Sequence, residues 1–124
     1  MIFLDTHAVV WLYQKELHLF STEALVRLEN ETLLISPAVM LELDYLFEIG
    51  RITVNAVEIA EYLTETIGLE IDPVSFLPIV EKSLGLKWTR DPFDRLLTAH
   101  ASFRQSDLLT KDKIITANYA GSFW

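Results

Sequence analysis

The fold class of this chain follows from a pattern that first occurs in residues 1–13, MIFLDTHAVVWLY. The apolar run at residues 1–4 has the length and composition of a short buried strand, and Asp5 follows it directly. Residues 8–13 then have the spacing of a helix. Repeated along a chain, this order of strand, polar residue and helix predicts a parallel sheet covered by helices on both faces.

The rest of the sequence repeats the alternation. Further strands are predicted at residues 33–35, 69–71 and 108–110, and the predicted helices are one capped by Ser21, one from Ser36-Pro37 to about Ile49, residues 54–67, residues 74–84, and one from Asp91-Pro92 to about Arg104. We find no repeat or linker, so residues 1–124 are expected to form a single domain. The predicted fold is a three-layer α/β/α arrangement with a short, mainly parallel central sheet.

Composition excludes several classes of protein. Apolar residues make up 51% of the chain, which is enough for a proper core, and the absence of cysteine excludes disulfides and thiolate metal sites. No apolar run reaches the ~20 residues of a membrane span. Residues 1–15 lack the basic region and the small-residue cleavage site of a signal peptide. We therefore expect a cytoplasmic protein with no membrane partner.

The net charge of −8 argues against a nucleic-acid partner until its distribution is considered. Residues 1–86 hold 4 Lys and Arg against 14 Asp and Glu. Residues 87–124 hold 6 Lys and Arg against 4 Asp. The positive charge is thus concentrated in the last third of the chain, among several of the acids discussed next.

Four acids are the candidate functional residues: Asp5, Glu42, Asp94 and Asp112. Three of them follow strands or begin helices at one edge of the sheet, and a helical side chain at position 42 is directed back toward that edge. Each also has a purely structural explanation. Asp5 and Asp112 can cap helices, Asp94 suits the third position of a helix that Asp91 caps, and Glu42 can belong to a solvated face.

Taken together, these acids predict a metal site. Two bare carboxylates ~4 Å apart repel by ~4 kcal/mol at an effective dielectric near 20. Three or four of them are tolerated together only if a cation binds or some of them take up protons. Oxygen ligands without cysteine or paired histidine favour Mg²⁺ or Mn²⁺ over zinc.

Several longer stretches resemble one known family. They are Leu-Asp-Thr-His-Ala (4–8), Ile-Ser-Pro (35–37) with Leu-Glu-Leu (41–43), Trp-Thr-Arg-Asp-Pro-Phe-Asp-Arg-Leu-Leu (88–97), Ala-His-Ala (99–101) and Leu-Leu-Thr-Lys-Asp (108–112). In this order they resemble PIN domains, and more closely the VapC-type toxins of bacterial and archaeal toxin–antitoxin systems. The resemblance runs the whole length of the chain.

The resemblance implies a parallel α/β/α fold, Mg²⁺-dependent (or Mn²⁺-dependent) cleavage of RNA by an endoribonuclease, a homodimer, and inhibition by a cognate antitoxin protein. Carried over by position, Asp5, Glu42, Asp94 and Asp112 correspond to the metal-binding acids. Asp91 accompanies them without necessarily touching the metal.

Other residues near these acids are candidates for supporting roles. Thr110 is placed to hydrogen-bond a carboxylate, and Arg95 and Lys111 could contact phosphate, although Arg95 could equally pair with Asp91 along the helix. His7 and His100 could position substrate or water. The aromatic residues could stack on bases, but at helical spacing they more often belong to the core or a dimer interface: Trp11, Tyr13, Tyr45, Phe47 and Trp88.

Two other functions are compatible with the fold class. One is a binding module that keeps the fold with a catalytically idle site. The other is a receiver-like phospho-acceptor domain, which needs an acidic doublet after the first strand and an acceptor aspartate after a central strand. Only Asp5 follows the first strand, and Asp72 after residues 69–71 precedes a proline, so the receiver is disfavoured.

Overall fold

The computed structural model describes all 124 residues of the chain, which alternate between strands and helices. The strands are β1 (Ile2–Leu4), β2 (Leu33–Ile35), β3 (Glu70–Ile71), β4 (Asp107–Leu109) and β5 (Ser122–Phe123). The helices are α1 (Thr6–Tyr13), α2 (Thr22–Asn30), α3 (Pro37–Glu48), α4 (Ala56–Ile67), α5 (Phe76–Ser83), α6 (Pro92–Phe103) and α7 (Lys113–Asn118). None of these helices combines the length and hydropathy needed to cross a membrane.

All five strands belong to one parallel sheet with the order β3-β2-β1-β4-β5. After β1, the chain adds β2 and β3 on one side, and then β4 and β5 on the other. The direction of growth therefore reverses between β1 and β4. In open parallel sheets, ligands bind in the crevice that such a reversal leaves at the carboxyl ends of the strands. Here the two strands beside the reversal lead directly to Asp5 and Thr110.

The central strands are buried on both faces. In β1, Ile2 and Leu4 belong to a core cluster of 16 buried residues, whereas Phe3 belongs to a second cluster of 5 on the opposite face. In β4, Leu109 and Leu108 alternate between the same two clusters. This alternation explains why the strands read as continuous apolar runs, and it confirms the predicted α/β/α layers.

Most predicted elements lie within two residues of the observed ones. The fourth strand begins at Asp107, one residue before the predicted segment, and α5 is shorter than residues 74–84. Strand β5 was not predicted. It is two residues long and is defined by its pairing with β4, where Leu109 lies opposite Phe123, rather than by an apolar run of its own.

Candidate functional site

An open cavity of about 400 Å³ lies at the carboxyl ends of the central strands, beside the topological reversal. All four predicted metal-binding acids line it, together with Asp91. The full lining is Asp5, Thr6, His7, Val10, Trp11, Glu42, Leu46, Arg51, Ile52, Asp91, Asp94 and Asp112. Residues from four separate helices and their caps thus converge on one depression.

Asp5 joins β1 to α1 and is only 5% exposed. One carboxylate oxygen, Oδ1, accepts a hydrogen bond of 2.6 Å from the backbone N–H of Thr6, so the residue does cap the helix. Its other oxygen, Oδ2, accepts a hydrogen bond of 2.6 Å from the Thr110 hydroxyl. The structural and the functional explanations of this acid are therefore compatible, because the cap uses Oδ1 and leaves Oδ2 to Thr110.

Glu42 reaches the cavity from the middle of α3. Its carboxylate accepts a hydrogen bond from the hydroxyl of Thr6, a residue of α1 for which the sequence offered no signal. Burial raises the pKa of the Glu42 carboxyl above its ordinary value. The Thr6 hydrogen bond partly offsets this rise, and the negative charges of Asp5 and Asp91 add to it. The solvated face that was an alternative for this residue is not what the structure shows.

Asp91 and Asp94 open α6 in different roles. Oδ1 of Asp91 accepts hydrogen bonds from the backbone N–H groups of Phe93, at 2.8 Å, and of Asp94, at 3.2 Å. Asp91 is exposed and caps the helix. The half-buried carboxylate of Asp94 forms no hydrogen bond and no ion pair. It is the one acid of the cavity whose position no structural partner explains.

Asp112 caps α7, with Oδ1 accepting from the backbone N–H groups of Ile114 at 2.8 Å and of Ile115 at 3.0 Å. The Thr110 hydroxyl links Asp112 to Asp5: it donates to Oδ2 of Asp5 and accepts from the backbone N–H of Asp112 at 3.1 Å. Thr110 is completely buried. As predicted, it lies against a carboxylate, and it aligns two of the acids rather than one.

His7 holds the loop after β4 against α1. Its Nε2 accepts a hydrogen bond of 2.9 Å from the backbone N–H of Lys111, so in this arrangement the ring proton is on Nδ1. Nδ1 lies 3.4 Å from Oδ2 of Asp5. His7 therefore holds the segment that carries Asp112 and lies beside Asp5, which makes it a positioning residue.

The pKa of Asp94 reflects the crowding of acids in the cavity. Burial is the main cause that raises the pKa of its carboxyl from 3.8 to about 7, and the charges of Asp91, Asp112, Asp5 and Glu42 raise it further. The other four acids of the cavity thus all act on Asp94. A carboxyl group in such surroundings either keeps a proton near neutral pH or gains a positively charged partner.

The donor set fits a hard divalent cation, since it consists of carboxylate oxygens with water-accessible space beside them. The carboxylates are not drawn together around a common point: no three Asp, Glu or His side chains converge closely enough to hold an ion in the positions they occupy here. Asp91 and Asp112 are held in place by the caps that they form. A bound cation would have to draw the free oxygens inward, and Asp94, which has no hydrogen bond to give up, is the freest to move.

The cations near the site agree only in part with those predicted, and Lys111 lies beside His7 and Asp112. Arg95 does not line the cavity; its Nε donates a hydrogen bond of 2.7 Å to the carbonyl oxygen of Thr89, and it forms no ion pair with Asp91. Arg51 lines the cavity instead, from the loop after α3. It follows Gly50, whose φ of +78° lets the chain turn back toward the acids. The sequence predicts that Gly50 ends α3. The position of Arg51 directly after this glycine is the feature from which its place in the cavity could have been predicted.

His100 lies outside the site. It is 1% exposed, its ring packs against Phe3 with centroids 4.8 Å apart, and its Nε2 lies 2.9 Å from Oδ2 of Asp72. Arg104 completes this second cluster with hydrogen bonds of 2.6 and 2.5 Å to the two Asp72 oxygens. Hydrogen bonds from Arg104 lower the pKa of Asp72, although burial opposes them. The possible role of His100 in positioning substrate is therefore not supported.

The chain is similar to known proteins in sequence and in fold. A sequence model of the PIN domain matches residues 2–120. The chain belongs to the PIN domain family. A search of curated proteins gave no match.

Two solved structures are similar to this PIN domain over nearly its whole length. VapBC2 from Rickettsia felis, bound to a DNA fragment from its promoter, has 19% identity and a TM-score of 0.68, with 99% of this chain and 96% of that chain covered. A domain of a functionally unknown protein from Methanocaldococcus jannaschii has 21% identity and a TM-score of 0.64, with 99% and 89% covered. Likeness at these identities concerns the fold.

Proposed function

We propose that this PIN domain is a Mg²⁺- or Mn²⁺-dependent endoribonuclease that acts as the toxin of a toxin–antitoxin pair. The observation that carries the proposal is the half-buried Asp94 carboxylate, which has no hydrogen-bond or ion-pair partner and lies among four other acids. The buried acid outside the cavity, Asp72, is paired with Arg104 and His100. A crowded acid without one is best explained by a cation that binds during function.

Asp5, Glu42, Asp94 and Asp112 are the proposed metal-binding residues, and Asp91 supports them from the cap of α6. A divalent ion held by these carboxylates would supply a water of lowered pKa and would offset the charge of the phosphate. The chain itself contributes orientation. Thr110 holds Asp5, and Thr6 holds Glu42. His7 holds the segment before Asp112, and Arg51 offers a positive group to a phosphate oxygen at the rim of the cavity.

The experiment that tests this activity is cleavage of total RNA by the purified chain, with and without excess EDTA. We expect chelation to stop cleavage, and added Mg²⁺ or Mn²⁺ to restore it. Sequencing the fragments identifies the target and the position of the cut. Undiminished cleavage in excess EDTA would exclude the metal mechanism.

The toxin role and its partners rest on the sequence resemblance to VapC-type toxins and on the structural likeness to VapBC2. An antitoxin that places an arginine among the carboxylates would neutralise them, because guanidinium groups pair well with carboxylates. A homodimer is supported by Leu41, Tyr45 and Phe47 on α3, which are 65%, 50% and 40% exposed. We also propose that the protein acts in the cytoplasm.

Growth of cells that express the chain alone tests the toxin role. Expression of the parent should slow growth, and the Asp94→Asn variant at equal folded level should not. Equal growth with both would contradict the toxin function while leaving nuclease activity to be judged from the cleavage assay.

A catalytically idle binding module is the second candidate. Stabilisation by Mg²⁺ in a thermal melt, without any cleavage of RNA, would indicate the binding module rather than the enzyme. The receiver-like alternative is excluded, because the observed strand order β3-β2-β1-β4-β5 differs from the receiver order, in which β1 lies between β2 and β3.

A further inference from the structure

A second cavity adjoins the carboxylate cavity. It has a volume of about 340 Å³ and is lined by His7, Trp11, Lys111 and Asp112. His7, Trp11 and Asp112 line both cavities. A molecule that extends out of the carboxylate cavity past Trp11 therefore enters the second one.

The aromatic wall of the second cavity is firmly held. The Trp11 ring lies 5.0 Å from His7 and packs edge to face on Trp124 at 5.3 Å, measured between ring centroids. Trp124 in turn stacks on the buried Phe20 at 4.8 Å and donates a hydrogen bond of 3.0 Å from Nε1 to the carbonyl oxygen of Leu19. Trp11 thus keeps a fixed orientation while remaining partly accessible from the cavity.

Lys111 supplies a positive charge to the same cavity. Its Nζ lies 5.7 Å from the centroid of both the Trp11 and the Trp124 ring. No acidic side chain pairs with it, since it takes part in none of the ion pairs of the protein. Its backbone N–H donates to His7, which holds the residue beside the wall, and its unpaired ammonium group remains available to an anion.

We propose that this second cavity binds one unpaired nucleotide of the RNA substrate, next to the phosphodiester that is cut. The base stacks on Trp11, and Lys111 contacts a phosphate. This inference rests on the proposed ribonuclease function. The chemistry favours a nucleotide, because a fixed aromatic wall with a free cation matches the flat base and the phosphate of a single strand, and both lie beside the site proposed to act on a phosphodiester.

The test compares adenosine 5′-monophosphate with ribose 5-phosphate in the presence of Mg²⁺. Both carry the same phosphate, only the first has a base, and neither has a phosphodiester to cleave. Binding is followed by nuclear magnetic resonance through the indole N–H signals of the three tryptophans, with Trp88, which packs in the smaller core cluster, as the internal control. We expect the nucleotide to bind about tenfold more tightly and to shift the Trp11 signal but not the Trp88 signal.

Two variants separate the roles of base and phosphate. Trp11→Leu should abolish the preference for the nucleotide. Because this variant lacks the Trp11 indole signal, binding is followed through the backbone amide signal of Lys111. Lys111→Gln should weaken both ligands by a similar factor and leave the preference intact. Lys82→Gln, which removes the same charge from an exposed site on α5 that lines neither cavity, should change neither affinity.

Trp11→Phe guards against a packing artefact, because it keeps an aromatic wall and should keep most of the preference even if Trp11→Leu is poorly folded. Equal affinity of the two ligands for the parent, or a full preference in Trp11→Leu, would overturn the proposal. In RNA cleavage, Trp11→Leu should raise KM about tenfold with little change in kcat.

The two proposals can fail separately. Preferential nucleotide binding at Trp11 in a protein that cuts no RNA would retain the subsite and refute the ribonuclease function. Metal-dependent RNA cleavage by a protein that binds both ligands equally would retain the ribonuclease and refute the subsite.

Discussion

The two ends of helix α6 differ in how the charge of a nearby acid is balanced. At its first turn, Asp94 lies among four other acids without a partner, and its pKa is raised to about 7. Near its last turn, His100 and Arg104 surround Asp72, whose pKa is lowered chiefly by hydrogen bonds from Arg104. Asp72 and Asp5 both directly follow a strand, so position in the chain does not show how the charge of an acid is balanced. The guanidinium of Arg104 pairs with Asp72, whereas no cationic side chain pairs with Asp94.

The largest effect on RNA cleavage is expected at the first turn of α6, where Asp94 has no partner. Asp94→Asn should reduce RNA cleavage by more than about a hundredfold, because even partners that only orient metal ligands are worth about 10–100-fold. Removal of one charge also relieves repulsion, so the metal-free variant should melt at the same temperature as the parent or higher. Its stabilisation by Mg²⁺ should shrink, since a ligand is lost. Thermal melts with and without Mg²⁺, beside a cleavage assay, measure all three. A variant that is less stable, responds normally to Mg²⁺ and still cuts RNA would show Asp94 to be part of a helix cap.

The hydroxyl that aligns Asp5 and Asp112 should have the next largest effect. Thr110→Val removes the hydrogen bond to Asp5 and should lower cleavage by about 10–100-fold with a small change in volume. Thr98→Val is the matched control, because the Thr98 hydroxyl is also buried but has no hydrogen-bond partner, so its loss should leave activity unchanged and stability equal or higher. Equal cleavage rates for the two variants would deny Thr110 its role in the site.

The compensated end should respond in stability rather than activity. Asp72→Asn takes the charge away from a buried residue that pairs with Arg104 and His100, and it should lower the melting temperature by about 5 °C. The guanidinium of Arg104 can turn toward water, which limits the loss. Stabilisation by Mg²⁺ and the rate of RNA cleavage, measured well below the melting temperature, should match the parent. A large loss of cleavage would place Asp72 in the functional network.

The smallest effect is a difference in pH dependence between the two ends. The raised pKa of Asp94 means that the folded protein favours its protonated form, so metal-free stability is lost as pH rises from about 4 to about 7. After allowance for the part of the side chain that stays in water, this loss is roughly 1–2 kcal/mol. The lowered pKa of Asp72 has the opposite sign: its contribution is present above its ordinary pKa of 3.8 and is lost as pH falls below that value.

Urea unfolding of the metal-free parent and variants at several pH values measures both windows. The advantage of Asp94→Asn over the parent should grow between pH 5 and pH 7.5. The deficit of Asp72→Asn should persist over that range and disappear only in acid. A constant advantage of Asp94→Asn across the range would mean that Asp94 does not titrate there.

Much of this could be predicted from the sequence, because its signals are local. Strands buried on both faces read as unbroken apolar runs, and helix starts favour Asp, Asn or Ser. Residues 1–4 and 33–35 and the caps at Asp5, Asp91 and Asp112 could therefore be predicted from the sequence. The four acids could be grouped because parallel strands end at one edge. Their shared cavity agrees with that grouping, while their roles as metal ligands remain predictions.

The tertiary structure alone decided which residues from distant segments lie next to one another. Sequence distinguishes neither Arg51, which lines the cavity, from Arg95, which donates to a carbonyl, nor His7 in the site from His100 beside Asp72. The reason is physical. A carboxylate shows its charge and its capping role locally, but its pKa and its function depend on which groups from other segments approach it within a few ångströms, and only the packed fold brings them there.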